Sequence, residues 1–576
     1  MVRDEITEML KKALKDLPEL PYDLIEPLVD IERPKDSSNG DYSTSVALVA
    51  FAKIKNPARL ASESVTGRQK SRPPRKRERY GQAKIKNPLE LAEKIVSVLN
   101  SKILNLNSGF DKIEAVKPGF INFYLSNDYL QDQVQSIIEK GNSYGSPLQK
   151  SLPVGSRASV EFVSANPTGP LHIGNAVGGP IGDVLANVLE KSGYKVTREY
   201  LHNDVGGQID RLGEAIYFEL NPGEKSENYV VQYRGTYIKE LAKEVEEELY
   251  EDEDLSQNEF IEKAGKIAVR IMLEEILKDC EDMGIKYDVV RKESDLRQEV
   301  SKVLPKIKKY LKENEGALWF APNDEFLKDR ETVVKKSDGQ YTYFASDIVY
   351  HNEKMGRNDL VVDVLGSNHS GHVPRLKAVV KALGYNPDDL KVILYQYVRL
   401  KKGNEIVKMG KRTGNFVTAR EVLDEVGKDA FRFFLLRSAP ETHMDFDLEL
   451  AKKQASENPV FYVQYAYSRI CSIFAKIKNL SGNDTSLLTQ PEEIAVIRHL
   501  LKFPELIEEV SHTFGVHVFT TYALELATLF HKFYEAHRVI SDDKKQTQAR
   551  LALLEAIRIT LKNTLDILGI SAPEHM

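Results

Sequence analysis

Cysteine is almost missing: Cys280 and Cys471 are the only two in 576 residues, and they lie far apart. That excludes a disulfide framework and a cysteine-based zinc site, and leaves both as packed thiols. No apolar run approaches the ~18 to 20 residues that span a bilayer. The opening MVRDEITEMLKKALKDL interleaves charge with apolar residues at helical spacing, unlike the continuous apolar core of a secretory signal. A cytoplasmic chain without a membrane partner is expected. Positive charge is not in excess either, since the net value is −6, so contact with a polyanion has to be local and shaped. What is present is ordinary globular material, 41% hydrophobic and 29% charged, in a chain long enough for about three or four domains.

The one strongly basic stretch is RQKSRPPRKRER, Arg68 to Arg79, with seven Lys/Arg against Glu78; subtracting its +6 leaves −12 for the rest. Two copies of AKIKNP, at 52–57 and 83–88, bracket it at an offset of 31 residues. A proline-interrupted charge run of this kind reads as a solvated loop before it reads as a phosphate-binding arm. The second copy opens the better helix: Asn87 caps, Pro88 takes the first position, Glu90 completes a capping pattern, and Leu91, Ile95, Val98 and Leu99 form an apolar stripe. Removing 52–82 leaves ALVAFAKIKNP continuous, so the tract is read as a duplication-bounded insert.

Residues 1–127 mix amphipathic helix patterns with short strand-like runs and end in the alternating AVKPGFINFYLS, an α/β domain. A helical connector occupies 128–155. From 156 to 450 the pattern becomes strand, loop and helix in turn: RASVEFVS, ANPTGPLHIGN, AVGGPIGDVLANVLEKSGY, then a second strand in KVTREYLHND. That is a βαβ unit, the element of a parallel sheet. A charged helical segment, about 223–315, interrupts it. Strand-like DLVVDVLGS and KVILYQYVRL follow, and 451–576 reads as a helical bundle.

NPTGPLHIGN falls between a strand and a helix, where free N–H groups and the helix dipole suit a phosphate. His172 and Asn175, three apart, are expected on one face, with Gly169 and Gly174 admitting a ligand close to the backbone. A structural turn is the alternative. A second signal comes 236 residues after His172: VKMGKRTGN crowds Lys408, Lys411 and Arg412 into a glycine-containing loop, able to neutralise charge as pyrophosphate leaves.

Together ANPTGPLHIGN and KMGKR resemble the HIGH and KMSKS signatures of class I aminoacyl-tRNA synthetases. EFVSANPTGPLHIGN, EYLHNDVGGQI, GQYTYFASDIVYH, GSNHSGHVPRLKA, GKDAFRFFLLRS, NPVFYVQYAYSRI and LDILGISAPEHM resemble the arginyl-tRNA synthetase family, and SSNGDYSTSVALVAFAK resembles its amino-terminal module. The resemblance implies a Rossmann-like parallel-sheet catalytic domain, an α/β amino-terminal domain that contacts tRNA and an all-α carboxy-terminal domain that reads the anticodon. It implies two steps, activation of L-arginine by ATP and transfer to the terminal ribose of tRNA(Arg), by a monomer. Pro167, Thr168, Gly169, His172, Gly174 and Asn175, with Lys408, Met409 and Lys411, are the implied ATP residues. Asn175 stands where the signature has its last His, and Gly410 where it has Ser. Mg²⁺ is expected with ATP, without a protein cage of its own. Glu161, Ser164, Asn166, Asp204, Tyr343 and Asp347 match family pocket positions, with His202 beside Asp204 a further one. A planar guanidinium demands such acceptors, and Tyr343 and Asp347, four apart, share a helix face. His369 and His372 have metal-like spacing, but no third ligand is evident, and substrate-side hydrogen bonding or packing is preferred. Tyr462, Tyr465 and Arg469 are the expected tRNA-facing residues, with core packing the alternative for each tyrosine. The 14 Lys/Arg and 14 Asp/Glu of 451–576 do not themselves point to RNA.

Overall fold

A computed structural model describes residues 2–576 apart from 19, 21, 56–84, 104–108, 147–151, 226–229, 231, 251–254, 329, 404, 407–416 and 478–483. The whole basic tract and the whole KMGKR segment therefore lie outside the described residues. The chain divides into two compact units, one comprising Met1–Gly141, Ile477–Glu505 and Leu529–Ile559, the other Asn142–Lys476, Leu506–Thr528 and Thr560–Met576.

In the first unit, α1 (Val2–Lys15) buries Ile6, Leu10, Ala13 and Leu14, the spacing of one helical stripe. Strands β1 (Tyr42–Thr44), β2 (Phe110–Val116) and β3 (Phe120–Leu125) form an antiparallel sheet in the order β1-β3-β2. AVKPGFINFYLS is thus a hairpin, not one strand. Helix α2 (Pro88–Ile103) starts as its sequence predicts: Asn87 Oδ1 accepts the Glu90 N–H at 2.9 Å, while the Glu90 carboxylate accepts the Lys86 N–H at 2.8 Å, one residue earlier than a capping box requires. Leu91, Ile95 and Leu99 are buried. Within this unit the Glu505 carboxylate ties Ile477–Glu505 to the amino-terminal segment, accepting from Arg33 Nε at 2.6 Å and Nη2 at 3.0 Å and from the Tyr42 hydroxyl.

The second unit is built on a five-stranded sheet of β4 (Arg157–Phe162), β5 (Lys195–His202), β6 (Val289–Lys292), β7 (Leu360–Gly366) and β8 (Leu390–Tyr395). The order is β8-β7-β4-β5-β6 and every pairing is parallel. The strand order reverses between β4 and β7, and in open α/β sheets that point, at the carboxyl ends, is where a crevice forms. Helix α3 (Gly178–Lys191) packs so closely on the sheet that a Cβ on Gly182 would lie 2.2 Å from Phe162. The segment 223–315 contains the helices Thr236–Glu248 and Gln257–Asp282, which share an apolar core with Gly207–Leu220. It also contains edge strand β6 and the helix α4 (Glu293–Val303). Helix α5 (Tyr343–Arg357) follows a small antiparallel sheet of Leu311–Asn314, Ala317–Phe320 and Thr332–Lys335. Arg432, fully buried, donates to Leu568 O at 2.8 Å, Met283 O at 3.0 Å and Asp183 Oδ2 at 2.6 Å, gathering three distant segments of this unit.

Candidate active site

At the end of β4 the backbone turns through two residues of positive φ, Val163 at 68° and Ser164 at 38°. For a β-branched residue that conformation is costly, and such strain gathers at functional turns. Ser164 stabilises the bend: its Oγ donates to Glu161 Oε1 at 2.9 Å and accepts the Leu201 N–H at 3.1 Å. Beyond it, Asn166 donates to Gln208 at 3.2 Å, and the Thr168 carbonyl accepts from the Tyr237 hydroxyl at 3.2 Å. Tyr237 belongs to the helix Thr236–Glu248, and a Cβ on Gly169 would lie 3.3 Å from its ring. His172 caps a four-residue helical turn, Ile173–Ala176, its Nδ1 accepting the Gly174 N–H at 2.9 Å. That N–H is therefore already engaged, and a neutral ring carries its proton on Nε2. Residues 417–419, which follow the KMGKR segment, return to this turn: Ile173 donates to Val417 O at 3.2 Å and Ala419 to Leu171 O at 2.7 Å. Lys408, Met409 and Lys411 themselves fall outside the described residues.

A cleft of about 440 Å³ opens at the carboxyl end of β4 and β7. Glu161, Ser164, Asn166, Thr168, Asn175, Tyr343 and Asp347 all line it. Tyr343 and Asp347 come from the first turns of α5, as their spacing predicts. The Asp347 carboxylate has no hydrogen-bond or ion-pair partner among the described residues. Burial pushes its pKa up to about 6, Glu161 and Glu293 push the same way, and His351 and Lys354 oppose them. An unmatched acid in a cleft favours a cationic ligand. The Tyr343 hydroxyl accepts from Asn203 Nδ2, and burial, then Glu293, raise its pKa to about 12.

Pro167, Gly169, His172 and Gly174 lie on the turn outside the cleft wall, and Asp204 does not reach it either. Both Asp204 oxygens are engaged at the start of α4, Oδ1 accepting the Ser294 N–H at 2.9 Å and Oδ2 the Ser294 hydroxyl at 2.6 Å. Asp204 thereby positions Glu293, which does line the cleft, is 3% exposed and pairs with Arg297 at 2.6 Å. Glu293 was not anticipated, because an acid four residues before an arginine in a charged segment looks like a solvated helix face. His202 is 3% exposed with no partner for either ring nitrogen among the described residues, and burial lowers its pKa. His369 and His372 face each other across the cleft wall, ring centroids 5.5 Å apart, both pKa values lowered by burial. Among the described residues no three His, Cys, Asp or Glu side chains are grouped to hold a metal.

Three family models match successive parts of the chain. They are the arginyl tRNA synthetase N terminal domain over 3–73 and 79–125, the catalytic domain of class I (R) tRNA synthetases over 133–446, and the DALR anticodon binding domain over 463–576. The first takes in 68–73 and 79 of the basic tract and leaves out 74–78. The arginine–tRNA ligase of Staphylococcus epidermidis is 38% identical over 588 aligned residues, spanning all of this chain and 98% of the relative; that of Staphylococcus carnosus is 38% identical over 589, with the same coverage. The structure of Thermus thermophilus arginyl-tRNA synthetase superposes with a TM-score of 0.74 at 21% identity, covering all of both chains, a likeness of fold. On the α/β fold, the acid-lined cleft and these full-length matches, the chain belongs to the arginyl-tRNA synthetase family of class I tRNA synthetases.

Proposed function

We propose how the residues of this cleft divide the work of an arginine–tRNA ligase. The chain is an ATP-dependent aminoacyl-tRNA ligase whose substrates are arginine, ATP and tRNA. The arginine carboxylate attacks the α-phosphate of ATP and pyrophosphate leaves; the terminal ribose hydroxyl of tRNA(Arg) then attacks the arginyl carbonyl and AMP leaves. Neither step needs a protein nucleophile, so positioning and charge stabilisation supply the rate. Asp347 takes the guanidinium, with Tyr343 and Glu293 beside it. Glu161, Ser164 and Asn166 hold the amino-acid end near the strained turn. Thr168, His172, Gly174 and Asn175 cradle the nucleotide, and Lys408, Met409 and Lys411 meet its phosphates. Mg²⁺ bound to those phosphates would offset their charge, held by the nucleotide itself. Phe461 and Tyr465, stacked at 8° between ring planes, and Arg469, donating to the Tyr465 hydroxyl at 2.6 Å, form a ladder on the helix Pro459–Ala475 that suits an unstacked base; Tyr462 stands beside it. The protein works as a monomer in the cytoplasm.

The unmatched Asp347 carboxylate carries this reading. A site that pairs a guanidinium in its plane leaves acceptors unfilled by lysine, which is rejected for that reason. Charging of tRNA with labelled arginine and with labelled lysine tests it: arginine is esterified and lysine is not, whereas equal charging of both contradicts the assignment.

A further inference from the structure

Beneath the cleft, three acids stand in one row across the sheet. Glu161 on β4 is in register with Glu199 on β5 and with Asp363 on β7, so all three side chains point to the same face. Helix α5 covers that face. Its Lys354 is wholly buried and donates to Glu161 Oε2 at 2.7 Å and Asp363 Oδ1 at 2.6 Å. His351 Nε2 lies 2.9 Å from the other Asp363 oxygen. Glu199 is served separately, by Arg357 Nη2 at 2.7 Å to each oxygen and by the Tyr350 hydroxyl at 2.7 Å. Lys354 stands seven residues after Asp347, two turns along the same face. One helix thus offers an unpaired acid to the cleft and, below it, a cation fastened to the acids that would otherwise stand beside it.

A buried ion cluster is weak evidence for stability, since apolar residues of equal volume often serve better. A role toward substrate accounts for its place. We infer that Lys354 is a positioning residue for arginine: by engaging Glu161 and Asp363 it leaves Asp347 as the ionised acceptor of the guanidinium. This rests on the assignment of Asp347 above. The other groups facing Asp347 are Glu161 from β4, Glu293 with its partner Arg297 from α4, and His351 and Tyr343 on α5 itself, while His369 faces Glu161 from the loop after β7. Burial works against the Lys354 ammonium, yet Asp363, Glu161 and Glu199 outweigh it and hold its pKa above the ordinary lysine value. The lysine therefore stays charged throughout the range in which Asp347 titrates.

The experiment is the pH dependence of kcat/KM for arginine in the full-length enzyme with tRNA, for wild type, Lys354→Arg, the charge-balanced pair Lys354→Met with Asp363→Asn, and Asp347→Asn. In the wild type the acid limb reports ionisation of Asp347. The double variant leaves Glu161 without its cation, and its limb moves to higher pH by about one unit. Its KM for arginine near pH 5 rises about tenfold, while KM for ATP and kcat change less than twofold. Lys354→Arg keeps the wild-type limb. Should the double variant not fold, Lys354→Gln carries the same expectation. An unmoved limb, an equal rise of both KM values, or a shifted limb in Lys354→Arg overturns the inference. If Asp347→Asn leaves the limb and the arginine KM intact, the assignment of Asp347 falls instead; if it removes the limb while the Lys354 variants do not move it, only the role of Lys354 falls.

Discussion

Replacing Asp347 by Asn should move stability and activity in opposite directions. The carboxylate is held in the cleft without a partner, and its pKa rises from the ordinary 3.8 to about 6. That difference amounts to about 3 kcal/mol between the charged and neutral forms as an upper bound, and to about 1–2 kcal/mol once the side chain's partial access to the cleft is allowed for. The sign follows from proton binding. Between pH 3.8 and about 6 the folded form binds more protons than the unfolded form, so stability falls as pH rises through that window and the penalty is complete above it. The Asn side chain carries no charge and escapes the penalty. At pH 7.5, without arginine, the variant should melt about 2 °C higher than wild type in scanning fluorimetry. Arginine loses its ion pair, a loss of about 3 kcal/mol for a desolvated charge partner, so kcat/KM for arginine in ATP–pyrophosphate exchange should fall about 100-fold. A variant that melts lower than wild type, or keeps its arginine kinetics, would refute the reasoning.

Three further outcomes are expected. Tyr237→Phe removes the hydroxyl that holds the Thr168 carbonyl at 3.2 Å, a bond worth about 1 kcal/mol; KM for ATP should rise about fivefold with KM for arginine unchanged, and a change in arginine alone would contradict the placement of Thr168 at the nucleotide. Arg432→Met strips three buried acceptors of their donor and should cost about 3 kcal/mol in urea unfolding, partly recovered by adding Asp183→Asn. Deleting residues 52–82 should leave the salt dependence of tRNA binding unchanged, whereas a shallower slope would make the basic tract a phosphate-contacting arm.

The parts of the fold that were legible are those where side-chain pattern and burial coincide. β7, LVVDVLG, is an apolar run broken only by Asp363 and is buried in the sheet, and α2 announces its start through Asn87, Pro88 and Glu90. Tyr343 and Asp347 were legible together because helical spacing places them on one face. The edge strand β6, VVRK, escaped notice because four residues with two charges carry no strand period and sit within a stretch dominated by helical spacing. Asp204 was read as a pocket acid, yet Ser294 occupies both its oxygens; hydrogen bonds between residues 90 apart leave no trace in local pattern. Lys354 was illegible for a similar reason. In HNEKMGR it looks like a solvated lysine, and only the register of three acids on separate strands accounts for its burial.

The central claim is that this cleft activates arginine and no other amino acid. Exchange of labelled pyrophosphate into ATP, measured with each amino acid in the presence of tRNA(Arg), tests it most directly. Exchange with arginine alone, reduced about 100-fold in Asp347→Asn, is the result this account predicts; exchange with a different amino acid, or none from the folded protein with arginine and tRNA both present, would contradict it.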